Sequence, residues 1–220
     1  MSNTGNVQAP PSASDIELLL TALKRDDLPG ATRFPGGYPG EIELALLDAI
    51  LSIRARYGDW PRTGVGKRVM AYKTARGVDT CDDLDTLASF PSDTLLEICG
   101  SQKTGRRLKS DAIIAAARAL VAAGVRHSHD LAKPDEQHRR AYVSVNGLGE
   151  VTWSYLLMLL GHSDVKPDRM IMRYLRRAGL TVTPEQARTI VVATAGELNI
   201  SASDLDHAIW RFERSHGGKQ

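Results

Sequence analysis

The residues Val145-Asn146-Gly147-Leu148-Gly149-Glu150-Val151-Thr152 constrain this chain more than any other stretch. Helical spacing leads into them over Gln137 to Val145 and resumes with the apolar run Val151 to Leu160, which ends at Gly161. Two helices joined by so short a turn make a hairpin. The two glycines permit positive φ and let another backbone come close. The second helix aims its unbonded N–H groups at the turn, an arrangement that suits a phosphate oxygen. Taken alone, Gly-Leu-Gly is first of all a plain helix–helix turn.

The rest of the chain also reads as helix. No segment alternates with period two, and Ala, Leu and Arg dominate, so the expected fold is all-α. Aromatic residues make up 5% of the chain, too few for a strand-rich fold packed on rings. Residues 1–13 are small, polar and proline-bearing and are expected to form a disordered tail. Ser14-Asp15-Ile16-Glu17 has the pattern of a capping box ahead of Leu19, Leu20 and Leu23. Leu28 to Gly40 must be a loop. From Glu41 to Tyr57 apolar residues cover much of a helix circumference, as in a helix running through a core. Further helices are expected at 64–76, with Val65, Val69 and Tyr72 inward, at 91–99 and at 111–124. Thr183-Pro184-Glu185-Gln186 opens another, and Ser201 to Asp204 caps the last.

The formal net charge is +2, so net charge does not mark a nucleic-acid binder. Its distribution is uneven. Residues 78–97 carry Asp79, Asp82, Asp83, Asp85, Asp93 and Glu97 without a base. Residues 101–109 carry Lys103, Arg106, Arg107 and Lys109 without an acid, and 166–177 carry Lys166, Arg169, Arg173, Arg176 and Arg177 around Asp168. An acidic face and a basic face are one reading, ordinary helix surface the other. Cys81 and Cys99 are too few for a four-cysteine metal site, and a reduced, cytoplasmic compartment is the default. No apolar run reaches the roughly 18 residues of a membrane span.

Asp168 stands before the basic helix and by itself reads as an N-cap. Its distance from the hairpin changes that reading. Gly147-Leu148-Gly149-Glu150-Val151-Thr152, an apolar helix ending at Gly161, and then Lys166-Pro167-Asp168-Arg169-Met170-Ile171-Met172-Arg173-Tyr174-Leu175-Arg176-Arg177-Ala178-Gly179 together resemble the helix-hairpin-helix DNA glycosylase superfamily. That family's pattern is G-[VI]-G, two residues and T-A, followed after a helix and loop by V-D-T-H-V-x-R-[VI]-L-x-R-L-G. More weakly, Ala45 to Arg56 resembles the family's early core helix, and Phe90 to Leu120 its basic glycine turn before a helix carrying Lys and Ala. The likeness spans about residues 41–216.

The resemblance implies a two-lobed helix-hairpin-helix fold over residues 14–216, with the hairpin at about 138–160. One lobe is expected from about 41 to 160, the other to join the first helix to the last ones, with a cleft between. Asp168 is implied as the catalytic carboxylate. Breaking an N-glycosidic bond builds positive charge on the sugar, which a carboxylate stabilises while it activates water. DNA contacts are implied at Asn146, Gly147, Leu148, Gly149, Val151 and Thr152, with Lys103, Arg106 and Arg107 as basic support. Extruding a base leaves a gap to be filled. Arg54, which stands where the family has Gln, or the loop Gly36 to Gly40 are the candidates, and Arg54 reads equally as a surface charge. Asp48 and Trp153 are candidates for the base pocket and equally for the core. His162 and His207 read as structural.

The departures carry information too. Asn146 stands where Pro is common and Trp153 where Ala is frequent. Val151 occupies the position of the lysine with which some relatives also cut the backbone. A monofunctional enzyme is therefore expected, one that leaves an abasic site without AP-lyase activity. Lys166 is the other amine close to Asp168 in sequence. No cysteine cluster follows the last helix, so no iron–sulfur cluster is expected. Hairpin carbonyls are implied as a site for K+ or Na+, and no organic cofactor is implied. The implied partner is double-stranded DNA with a damaged or modified base, met by a monomer in the cytoplasm, at the nucleoid if the source is bacterial. Base-excision repair and defence against phage DNA with modified bases both stay open. The alternative is a helix-hairpin-helix DNA-binding protein without catalysis.

Overall fold

The computed structural model describes residues 11–28, 36–55 and 61–216, and most of the expected N-terminal tail lies outside them. Among the described residues the fold is all-α, with one short strand pair. In chain order the elements are α1 (Ala13–Arg25), α2 (Ile42–Leu51), α3 (Gly64–Arg76), α4 (Leu84–Ala88), α5 (Ser92–Cys99), β1 (Lys103–Thr104), β2 (Arg107–Leu108), α6 (Lys109–Ala122), α7 (Glu136–Val143), α8 (Glu150–Leu159), α9 (Arg169–Arg177), α10 (Pro184–Glu197) and α11 (Ala202–His216). The strand pair was not expected. It is antiparallel, with Lys103 opposite Leu108 and Thr104 opposite Arg107, too short for periodicity to reveal. The chain forms two compact units, one from residues 35–162 and one that joins 1–34 to 163–220.

In the unit of residues 35–162, α2 is the core element, and all ten of its residues are buried. It packs against α3, α6 and α8, and Trp153 to Leu159 of α8 are buried as well. The helix stops at Leu51, short of the expected Tyr57, which lies outside the described residues. Its first amide is capped from afar: Asp82 Oδ1 accepts from Ile42 N at 3.1 Å and from Ser128 N at 2.9 Å. Asp83 caps α4 through Asp85 N at 3.0 Å and pairs with Arg126. The acidic run of residues 78–97 is thus not simply a charged face, because Asp82 and Asp83 serve backbone amides. Glu43, fully buried on α2, accepts from Tyr72 and Arg76 of α3 and from Asp83 N.

In the other unit, α1, α9, α10 and α11 enclose Leu19, Leu23, Ile171, Tyr174, Leu175, Ile190, Val191, Leu205 and Ile209. Ser12, not Ser14, caps α1: its backbone is extended and its hydroxyl accepts from Asp15 N at 3.1 Å, while Ser14 is already helical. Thr183 and Gln186 form the expected box on α10, and Ser201 accepts from Asp204 N at 3.0 Å. Arg173 and Arg177 of α9 both pair with the buried Glu213 of α11. Two members of the basic run around Asp168 therefore hold helices together, while Arg169 and Arg176 stay exposed.

Candidate nucleic-acid interface and catalytic carboxylate

The hairpin between α7 and α8 closes through Leu148 N donating to Val145 O at 3.0 Å, with Gly147 at φ +93. A side chain is strained at that angle, so glycine is required. Gly149 then caps α8 with an extended backbone. Its N–H donates to Thr152 Oγ1 at 3.1 Å, and that hydroxyl donates to Gly149 O at 2.8 Å. The N–H groups of Glu150 and Val151 meet no acceptor among the described residues. They present the positive end of a ten-residue helix beside an exposed turn. Trp153 does not lie open on this surface. It is buried against Tyr142, ring to ring at 5.5 Å, and locks α8 to α7.

The strand pair is seated on this turn. Thr104 Oγ1 donates to Gly147 O at 2.6 Å. A Cβ on Gly147 would stand 2.7 Å from Thr104 O, and one on Gly105 would stand 2.7 Å from Asn146 Oδ1. At Gly147 two backbones thus meet where only glycine fits. The contact puts the ribbon that carries Lys103, Arg106 and Arg107 against Asn146 and Gly147, with Lys103 and Arg106 exposed. Two signals that are separate in sequence become one basic surface.

Lys109 ties in a third. It follows β2 and is 2% exposed, yet its ammonium donates to Leu51 O at 2.8 Å, Ile53 O at 2.7 Å and Gln102 Oε1 at 3.1 Å. Burial lowers its pKa to about 8. The ammonium caps the C-terminal end of α2 and fastens the turn after it. In that turn Arg54 is exposed and held at φ +50, a left-handed angle uncommon for a side chain. The loop of residues 36–40 sits elsewhere. Tyr38 N donates to Leu159 O at 2.6 Å, and a Cβ on Gly37 would overlap the Leu159 backbone. Leu159 ends α8, about 15 Å from the hairpin along a ten-residue helix. Of the two candidates for filling the gap of an extruded base, Arg54 is the one joined to the hairpin, through Lys109 and the ribbon. Asp48 is fully buried, with Tyr38 donating to Oδ2 at 2.8 Å and Tyr155 to Oδ1 at 3.2 Å.

Asp168 heads α9. Its Oδ1 accepts from Met170 N at 2.7 Å and Ile171 N at 3.2 Å, and Oδ2 accepts no bond among the described residues. The carboxylate is thus oriented by one oxygen while the other is available. The segment leading to it is strapped to α11 and α10. Ala202 N donates to Ser163 Oγ at 3.1 Å, Ser203 Oγ to Asp164 O at 3.1 Å, and Lys166 N to Asp206 Oδ1 at 3.0 Å. Arg188 pairs with Asp164 at 2.6 Å. Thr104 and Asp206 escaped the reading of the sequence, and Lys109 entered it only as a member of a basic run. The available signal for Lys109 was a base in the first turn of a helix, where the dipole opposes it. His207 is half-buried and stacks on Trp210 at 5.8 Å, and burial lowers its pKa.

Known structures place this architecture. Endonuclease III, trapped as a covalent intermediate with DNA in an estranged-adenine complex, aligns with a TM-score of 0.59 and 15% identity over 93% of this chain and 86% of its own. The 3-methyladenine DNA glycosylase Mag1 of Schizosaccharomyces pombe, bound to abasic DNA, aligns with a TM-score of 0.62 and 17% identity over 95% of this chain and 100% of its own. The fold is therefore that of the helix-hairpin-helix DNA glycosylases. No curated protein matches the sequence. The chain belongs to the family of a domain of unknown function, DUF8548, whose pattern covers residues 18–214. Among the described residues no helix is long and apolar enough to cross a membrane, and no cluster of three His, Cys, Asp or Glu side chains is arranged to hold a metal.

Proposed function

We propose that this protein is a monofunctional DNA glycosylase that hydrolyses the N-glycosidic bond of an extruded base in double-stranded DNA and leaves an abasic site. The observation that carries the reading is Asp168, a carboxylate oriented at a helix N-terminus with Oδ2 available, on this fold. The hairpin amides and the ribbon of Lys103, Arg106 and Arg107 grip the phosphate backbone. Arg54 fills the gap in the duplex. Asp168 stabilises the positive charge that grows on the sugar as the base departs, and it orients the attacking water. Val151 supplies no amine, so no imine forms with the sugar. The protein acts as a monomer in this reading.

A monovalent cation belongs to the same proposal. The hairpin offers neutral backbone carbonyls, and its carboxylate, Glu150, is paired with Arg139. Val145 O, Gly147 O and Gly149 O already accept hydrogen bonds, so in this reading a K+ or Na+ would share them, drawing the turn and a DNA phosphate together.

The test is a panel of duplexes, each with one modified base, together with phage genomes carrying modified cytosines, read out as abasic sites. The proposal expects excision from at least one member. Tight binding with no excision anywhere would make the protein a DNA-binding module instead.

A further inference from the structure

We infer that Asp206 is a positioning residue, one that sets Asp168 through the backbone of Lys166 and through its own proton. This rests on the reading of Asp168 as the catalytic group. Asp206 lies on α11 and is 5% exposed. Its Oδ1 accepts from Lys166 N at 3.0 Å, and Lys166 O in turn accepts from Asp168 N at 2.6 Å. A change at Asp206 therefore reaches Asp168 through two hydrogen bonds in series. It is the last rung of the strap formed by Ala202, Ser203 and Asp206 along residues 163–166.

The surroundings favour a protonated side chain. Asp168, at the head of α9, and Asp164, in the connecting segment, both oppose a negative charge at this place. Lys166 favours one, while Arg188 of α10 is engaged by Asp164. His207, next on α11, has its pKa lowered by burial. Burial first, and Asp168 second, push the pKa of Asp206 up to about 8. Near neutrality Asp206 keeps its proton and the negative charge of the pair is left to Asp168. Above about pH 8 Asp206 ionises, its charge opposes that of Asp168, and the Lys166-Pro167-Asp168 segment loses its setting.

Two measurements test this on the full-length protein. Carboxyl carbon NMR follows Asp206 through a pH titration in the wild type and in Asp168→Asn. The expected midpoint is near pH 8 in the wild type and clearly lower once the Asp168 charge is gone. A midpoint near that of an ordinary aspartate, or one unmoved in Asp168→Asn, overturns the inference. Single-turnover excision on whichever duplex of the panel is processed gives the second readout. The wild-type rate should fall above about pH 8, and Asp206→Asn, which keeps the acceptor without the charge, should stay within about threefold at pH 7 and lose that fall. Asp206→Ala should lose about tenfold or more at every pH. Identical pH profiles for wild type and Asp206→Asn also overturn it. Absence of excision from the whole panel, with the NMR coupling intact, would fail the glycosylase proposal and leave the coupled carboxyl pair standing.

Discussion

Thr104 donates its hydroxyl to the carbonyl of Gly147 at 2.6 Å and thereby seats a basic ribbon on the helix-hairpin turn. If the two act as one phosphate grip, Thr104→Val should weaken DNA binding although it removes no charge. A loss of about three- to tenfold is expected, the worth of one buried hydrogen bond. Lys103→Ala or Arg106→Ala should instead lower the salt slope of log Kd by about 1 each. Fluorescence anisotropy across a salt series distinguishes the two effects. An unchanged slope in both charge variants would place the ribbon off the DNA.

The two hairpin glycines should fail in different ways. Gly147 sits at φ +93 with a Cβ only 2.7 Å from Thr104 O, so Gly147→Ala should cost about 1–3 kcal/mol of stability. Gly149 is extended with open space around its Cβ direction and is the N-cap of α8. Asp is a favoured N-cap, so Gly149→Asp should keep or raise Tm while repelling phosphate. Its affinity should fall for every duplex alike. Normal binding by Gly149→Asp would remove the hairpin from the interface.

Lys109 makes a separate prediction with a definite sign. Its folded pKa of about 8 lies below its ordinary 10.5. Between those values the unfolded chain holds the extra proton, so stability due to this group rises with pH. Below pH 8 the burial cost is present in full. Relative to Lys109→Met, the wild type should therefore gain about 1–3 kcal/mol from pH 8 to 10.5. The variant also strips the donor from Leu51 O and Ile53 O, so amides of residues 52–55 should exchange faster with solvent. Equal exchange rates would mean that Lys109 does not hold the Arg54 turn.

The product should be an intact abasic site. Strand breaks should follow only alkali or heat, and borohydride should trap no covalent complex. Val151 offers no amine, and Lys166 is the remaining candidate near Asp168 in the chain. Efficient trapping that disappears in Lys166→Ala would overturn the monofunctional assignment and keep the glycosylase proposal.

What could be read from the sequence was what local rules decide. Gly147 announces its turn because few other residues fit its angle, and Gly149 because it lies at the start of the apolar run of α8. Asp168 caps the helix it precedes, and Thr183 with Gln186 boxes α10, because such bonds span three residues or fewer. The all-round apolar α2 had to be central. What escaped depends on distant partners. Asp82 reads as surface charge until the amides of Ile42 and Ser128 fold against it. The strand pair spans two residues on each side, below any detectable period. Lys109 and Asp206 look like ordinary charges on amphipathic helices. Only the carbonyls at and just past the end of α2 and the amide of Lys166, more than 30 residues away in each case, give them roles.

Asp168 is proposed to do chemistry rather than merely to cap α9. Asp168→Asn keeps an acceptor oxygen for Met170 N and Ile171 N and removes the charge. Excision by wild type and Asp168→Asn, compared in single turnover on a processed duplex of the panel, separates the two roles. The expected loss is at least about 100-fold in rate, since electrostatic stabilisation of this kind is often the largest single contribution, with DNA affinity retained or improved. Near-normal excision by Asp168→Asn would reduce this carboxylate to a helix cap and overturn its catalytic role.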